Sequence, residues 1–445
     1  MRITSKEILN DPIQPVLIRM MVPMIIGIFF SFLFTAVDTW FISLLGTTEL
    51  AAISFAAPVI FLVLSAVIGI SVALGILVGK VIGQGNIEKA ARITSDSLLF
   101  GLVFTLIVST IGYMTIDPLF RALGATDNTL PYIHEYMDIW FLYTALLVIP
   151  MLANSALRAT GDTLWASIIM MAGGLINVAL DPILIFGAGP IEGMGISGAA
   201  YATVISWLFT FVLGMLVLGV REKLIVFSLP PLSSLLENWR NMMKLGIPIA
   251  LANAMLPITI AILTALMASH GEFAVAAFGA GGRVESFAVL IPMAATAALS
   301  PFIAQNVGAE NYQRAHQAFV ITLKMMFKVM LVAWLVLFVF AGPLAGIFSD
   351  DEQVLSVSKS YLQIMPIGAI MYGMFMIFNT AFNAHYKSNL TLLSSVARLA
   401  IFIVPCAWVG NQLYGIIGLY IGCIVGNAMS IVLAWTLYTK KMRTA

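Results

Sequence analysis

The sequence has 445 residues, of which 61% are hydrophobic and 10% charged, against about 25% charged in an ordinary soluble domain, and its net charge is +1. That composition excludes a soluble globular domain and a small secreted disulfide scaffold, and predicts a polytopic membrane protein embedded in the lipid bilayer. Cys406 and Cys423 fall in apolar runs, and His134, His270, His316 and His385 make no cluster with metal-ligand spacing, so neither a metal nor any other cofactor is expected.

Met1 to Asp11 is polar and of mixed charge, without the regions of a cleaved signal peptide, so the first apolar segment is expected to stay as a helix. A span needs about 20 mostly apolar residues. That length predicts twelve spans, near 16–44, 56–80, 93–115, 132–158, 163–186, 196–220, 244–269, 282–306, 315–341, 359–384, 388–409 and 415–438. An even number places both termini on one side. Sixteen of the 22 Lys and Arg, from Arg2 and Lys6 to Lys441 and Arg443, fall on that side, and only Arg121, Arg283 and Lys359 on the other. The positive-inside rule makes both termini cytoplasmic. The basic residues follow topology and form no patch with interleaved aromatics, so no nucleic acid is expected as a partner.

Sliding the chain on itself by 225 residues reveals a repeat. Pro23 meets Pro248, Gly46 meets Gly271, Gly83 meets Gly308, Asn86 meets Asn311, Tyr136 meets Tyr361 and Asn154 meets Asn379. The expected architecture is therefore all-α, with twelve transmembrane helices in two six-helix pseudo-symmetric lobes: an N-lobe, 1–220, a linker, 221–244, and a C-lobe, 245–445. An even helix count per half relates the lobes by an axis along the membrane normal.

A carboxylate inside a span costs roughly 2.5 to 3.5 kcal/mol on insertion scales, so it survives with a partner or a task. Asp38 lies about six residues, and Asp181 about five, from the same end of the first and fifth spans, so the two can share one level of the membrane. Asn177 precedes Asp181 by four residues and faces the same way, as Ser31 and Thr35 do with Asp38. The repeat does not copy this set: Asp38 falls on Leu263, Asn177 on Phe402 and Asp181 on Cys406. Two carboxylates with amide and hydroxyl neighbours suit a proton relay or a small hard cation such as sodium. The structural alternative is a static ion-pair network with Arg283 or Arg398. Arg398 is a buried charge without an evident partner, whereas Lys324 and Lys328 are expected to snorkel. Pro23 removes a backbone hydrogen bond from the helix that carries Asp38 and makes that helix a candidate hinge.

The stretch Asp38-Thr-Trp-Phe-Ile-Ser-Leu-Leu-Gly46 with Glu49-Leu-Ala-Ala52, the Gly83-Gln-Gly-Asn86 loop, Leu157-Arg-Ala-Thr-Gly-Asp162 and Asn177-Val-Ala-Leu-Asp-Pro182 resemble, in order, the motifs of multidrug and toxic compound extrusion (MATE) transporters. The resemblance covers nearly the whole chain and is closest to the DinF-like branch. It implies that Asp38, Asn177 and Asp181 are the cation-coupling residues. It likewise implies that Tyr136, Asn154 and Thr203 belong with Thr35 to the supporting polar network, and that Pro23 is the bend of helix 1. The acids that the NorM-like branch carries on helices 7 and 10 are absent here.

What the resemblance implies is a monomeric secondary antiporter in a bacterial inner membrane. It would export amphipathic organic cations in exchange for protons or, at the same three residues, sodium. Gly79-Lys80 is followed by Val81, so no Walker A motif supplies ATP. A flippase or exporter of lipid-linked or other non-drug substrates is the alternative, although a pyrophosphate cargo calls for a basic cavity. An intramembrane aspartyl protease would show Tyr-Asp and Gly-x-Gly-Asp motifs, and the chain has Val37-Asp38 and Leu180-Asp181.

Overall fold

The computed structural model describes residues 3–228, 230–347 and 351–442; Arg2 and Arg443 lie outside them. The helices are α1 (Ser5–Asn10), α2 (Ile13–Ser43), α3 (Thr47–Gly83), α4 (Ile87–Met114), α5 (Ile116–Ala122), α6 (Leu130–Tyr143), α7 (Ala145–Ala159), α8 (Thr163–Phe186), α9 (Gly195–Leu216), α10 (Leu232–Ala268), α11 (Glu272–Gly308), α12 (Tyr312–Val339), α13 (Ala341–Gly346), α14 (Glu352–Ala384), α15 (Ser388–Ala397) and α16 (Val404–Lys441). A two-residue pairing of Gly187–Ala188 with Ile191–Glu192 closes the loop between α8 and α9. Short π-helical turns, Val217–Arg221 and Arg398–Ile403, continue α9 and join α15 to α16.

Among the described residues, ten stretches are long and apolar enough to cross a membrane. One of them, the 54-residue Ser388–Lys441, turns back at Tyr414–Gly415, where Gly415 adopts φ +60°, and so counts as two. The pair α6 and α7, bent by 48°, makes the last. The total is twelve. The two arms of α16 meet through glycines: a Cβ at Gly418 would lie 2.0 Å from the Gly410 carbonyl oxygen, and one at Gly422 would lie 2.2 Å from that of Cys406. Such small-residue stripes let helix backbones touch where lipid offers no hydrophobic drive.

The chain forms two compact units, one built on Ile26–Ile247, the other on Lys6–Ile25 and the helices from Pro248 onward. The unit boundaries fall inside α2 and α10, within three residues of the repeat-equivalent prolines Pro23 and Pro248. The repeat is visible in the elements themselves. α3 and α11 are both 37 residues long, α4 and α12 both 28, and each pair is displaced by 225 at both ends.

Several helices begin earlier than their apolar cores: α3, α4, α10 and α11 start at 47, 87, 232 and 272, not near 56, 93, 244 and 282. Their polar first turns, with Glu49, Glu88 and Glu272, continue beyond the hydrocarbon. A 37-residue helix is about 55 Å long, against a core of about 30 Å. The motif residues Asn86 and Asp162 are N-caps, accepting from the backbone amides of Lys89 (2.9 Å) and Trp165 (3.1 Å).

The segment after α9 is fastened to α4 within the first unit. Asp96, 1% exposed, accepts from Arg92 Nε (2.9 Å) and Asn238 Nδ2 (2.7 Å), while its backbone carbonyl accepts from Trp239 Nε1 (2.8 Å). Ser95 Oγ accepts from the Val226 amide at 2.8 Å, and Arg92 also bonds Ser228. Replacing Asp96 by Ala strips partners from a guanidinium and an amide, at a cost of about 3 kcal/mol. The thermal midpoint of detergent-solubilised Asp96→Ala is expected to fall by several degrees, and an unchanged midpoint would show the clamp to be dispensable.

Candidate functional site

The site in the first unit is set by how α2 lies along α8. Gly27 meets Ser167, where a Cβ would sit 3.1 Å from the serine Cα, and Gly174 meets Phe34, where it would sit 1.4 Å from a ring carbon. Both pairs are 140 residues apart, so the helices run parallel in a fixed register. On that register Asp38 falls level with Val178, between Asn177 and Asp181. Each carboxylate lies five residues before the end of its own helix. Phe41 and Phe186, with ring centroids 6.2 Å apart, pack above them.

Asp181 is fully buried and Asn177 is 9% exposed, while Asp38 is half-buried. Asn177 Nδ2 donates to Asp181 Oδ1 at 3.3 Å and reaches Thr203 Oγ1 of α9 at 3.4 Å. Tyr136 of α6, 7% exposed, lies within electrostatic reach of both carboxylates, as they do of one another. Asp38 Oδ1 and Asp181 Oδ2 are buried and have no hydrogen-bond partner, and among the described residues neither carboxylate forms an ion pair. The structure thus brings Asp38, Asn177, Asp181, Tyr136 and Thr203 together.

Two other sequence candidates are placed differently. Thr35, one turn before Asp38, is exposed and its hydroxyl donates to the Ser31 carbonyl at 3.0 Å. Asn154 lies near the opposite end of α8: its amide donates to the Ala166 carbonyl (2.8 Å) and its oxygen accepts from Arg158 Nη1 (2.8 Å). The repeat explains this. The equivalent Asn379 is bonded through Thr391, Ser394 and Ser395 to the helix equivalent to α8, so the asparagine ties the same two helices in each unit. Pro23 lies inside α2, three residues before the first unit takes over that helix.

The second unit holds one acid, Glu285, that neither the repeat nor the motifs single out. Tyr361, buried between Phe278 and Tyr420 with both ring centroids at 5.5 Å, donates its hydroxyl to Glu285 Oε2 at 2.6 Å. Gly281 makes room for it, since a Cβ there would meet the tyrosine ring at 2.3 Å. The signal was available: Glu285 is an acid inside a span, as Asp38 is. Arg398, 7% exposed, donates from Nε to Asn427 Oδ1 at 3.0 Å and forms no ion pair among the described residues. Lys324 and Lys328 are exposed along α12.

A family model, MatE, matches residues 23–183 and again 248–409, the two halves of the repeat. The chain belongs to the MATE family. It is 38% identical to the FAD transporter of Shewanella oneidensis, over 95% of this chain and 93% of that protein. It is 23% identical to the multidrug export protein MepA of Staphylococcus aureus, over 94% and 92%. Among solved structures, the Vibrio cholerae MATE transporter VcmN in the bent form matches with a TM-score of 0.92 at 30% identity, covering 97% of each chain. This MATE protein is therefore a multi-span membrane transporter of small molecules and not an enzyme.

Because Gly174 sets the α2–α8 register, Gly174→Val should force Phe34 aside and shift Asp38 against Asn177 and Asp181. A misplacement of that size is expected to lower transport by about ten-fold or more. Gly174→Ala, whose Cβ already meets the Phe34 ring, is expected to share the defect. Uptake into vesicles, normalised to purified protein, measures this; full transport by Gly174→Val would detach the register from function.

Proposed function

We propose that this MATE transporter is a secondary antiporter that exports organic solutes in exchange for protons bound at Asp38 and Asp181, or for sodium held there with Asn177. The observation that carries the reading is the pair of buried, unpartnered carboxylate oxygens in one unit. Buried polar atoms are rarely left without partners. Two acids in a low-dielectric site do not both stay ionised without a cation, so the pair takes up a proton or a metal ion and releases it when the site is remodelled. Asn177 and Thr203 supply neutral ligands for either species. Pro23, at the unit boundary within α2, is the place where that helix can change its course.

Two classes of cargo have support. The acidic site and the relatives named for multidrug export favour amphipathic organic cations, such as cationic drugs. The 38% identical relative named as an FAD transporter, against 22% to 25% for those named for drugs, favours a flavin dinucleotide. We adopt the dinucleotide as the physiological reading, with proton coupling at Asp38 and Asp181 common to both. Cytoplasmic termini, from the distribution of Lys and Arg, and a bacterial inner membrane complete the proposal.

The test is transport in liposomes of the purified protein under an imposed pH gradient, sodium-free, and then under a sodium gradient alone, with ethidium and FAD as separate cargoes. Movement driven by the pH gradient and abolished in Asp38→Asn and Asp181→Asn, with both variants purifying normally, is the expected result. Movement under sodium alone would replace the ion and keep the site. Full activity of Asp38→Asn would sink the assignment.

A further inference from the structure

Among the described residues, Arg398 is the most deeply buried basic side chain, and the proposed coupling leaves it without a task. It stands ten residues into the span that begins at Ser388, which is about 15 Å along the helix and so near the bilayer midplane, the depth at which secondary transporters bind their substrates. It opens the π-helical turn Arg398–Ile403, and single π turns inside helices frequently mark functional positions. A long cationic side chain near a helix end could snorkel, but this one is held in place.

Two helices hold it. Its guanidinium carbon lies 4.4 Å from the ring centroid of Tyr372 and 5.5 Å from that of Phe375, both on α14. Its Nε donates to Asn427 Oδ1 on the second arm of α16, and Asn427 is oriented in turn by donating its amide to the Cys423 carbonyl at 3.0 Å. The two Nη nitrogens have no hydrogen bond to any described residue, and no carboxylate pairs with the charge. Aromatic faces and one amide offset a buried guanidinium only in part, and a buried charge is ordinarily paired. The fork of Nη donors is the geometry that phosphate oxygens accept in pairs.

We propose that Arg398, with Asn427 and the rings of Tyr372 and Phe375, binds a phosphate of the cargo in the second unit. The ligand class is a phosphate ester attached to an aromatic or amphipathic body; a nucleotide cargo and a phospholipid headgroup share that chemistry. The inference rests on the dinucleotide reading of the cargo and locates its recognition. The repeat places Gly173 opposite Arg398, so the first unit has no equivalent anchor.

The experiment uses the full-length protein in nanodiscs and measures binding of FAD, of riboflavin, which has the same ring system without phosphate, and of ethidium. Wild type is expected to bind FAD about ten-fold or more tightly than riboflavin, and Arg398→Met to erase that preference while ethidium and riboflavin binding stay within about two-fold. Arg398→Lys, which keeps the charge and loses the fork, is expected to retain part of the preference, and it serves should the methionine variant not fold. An FAD preference that persists in both variants, or none in wild type, overturns the proposal. So does phosphatidylglycerol that occupies Arg398 and is not displaced by FAD, with phosphatidylcholine discs as the comparison; the anion is then a lipid. Failure of FAD to move under either gradient, with Arg398-dependent binding intact, overturns the export reading alone. Ethidium moved by a pH gradient without any phosphate preference overturns only the role of Arg398.

Discussion

The close approach of α2 to α8 is the constraint on which the rest of the first unit depends. Two glycines, Gly27 and Gly174, remove the side chains that would hold the helices apart, and Phe34 fills the space that Gly174 leaves. In lipid, where apolar surface gains little by leaving one apolar medium for another, this contact is what fixes helix register. The consequence is electrostatic. Asp38 and Asp181 are held at one level of an apolar bundle, each with an oxygen that no protein donor reaches. A structure that forces two such groups together has raised its own free energy unless a cation or proton is part of the assembly.

The repeat shows what evolution of one scaffold into two chemistries requires in physical terms. The shared parts are those that hold helices: the 37- and 28-residue pairs, and Asn154 and Asn379 tying the fourth span to the fifth. The parts that differ carry charge. Tyr136 and Tyr361 occupy equivalent positions; the first lies within electrostatic reach of two aspartates in its unit, the second donates to Glu285 in its own. Where the first unit has Asp181 the second has Cys406, and where the second has Arg398 the first has Gly173. Among the described residues, Asp38 and Asp181 of the first unit and Arg398 of the second form no ion pair, and the second unit's Glu285 is held by Tyr361.

Much of this was legible in the sequence, for definable reasons. Span number and the repeat follow from hydropathy and from identity at a constant offset, and Asn177–Asp181 follows from helix geometry alone, since i and i+4 share a face. Helix starts were misplaced because the polar turns of Thr47–Gly83 and Leu232–Ala268 carry no apolar signal although they stay helical. The bonding of Asn154 was not legible, because its partner carbonyl at Ala166 is a backbone group that any residue could offer. Nor was the pairing of Glu285 with Tyr361, which joins residues 76 apart with no local pattern between them. The register of Phe34 on Gly174 belongs to the same class: each residue is ordinary alone, and only their contact places the carboxylates.

The sign of the cargo changes what the coupling site must accomplish. With the interior negative, each elementary charge moved across the membrane is worth about 2.3 kcal/mol per 100 mV. Exporting a cation against one incoming proton moves no net charge, so the work must come from the proton gradient, and on the proposed reading Asp38 and Asp181 would carry the whole coupling. A phosphate-bearing anion leaves down the electrical potential, and an incoming proton adds to the same current. With such a cargo the proposed coupling acids would serve chiefly to bring the empty carrier back, and discrimination would fall to whatever recognises the phosphate. On the proposed reading, the acids of one unit and the guanidinium of the other would divide those two tasks between different side chains, so that neutralising the acids by protonation would leave Arg398 charged.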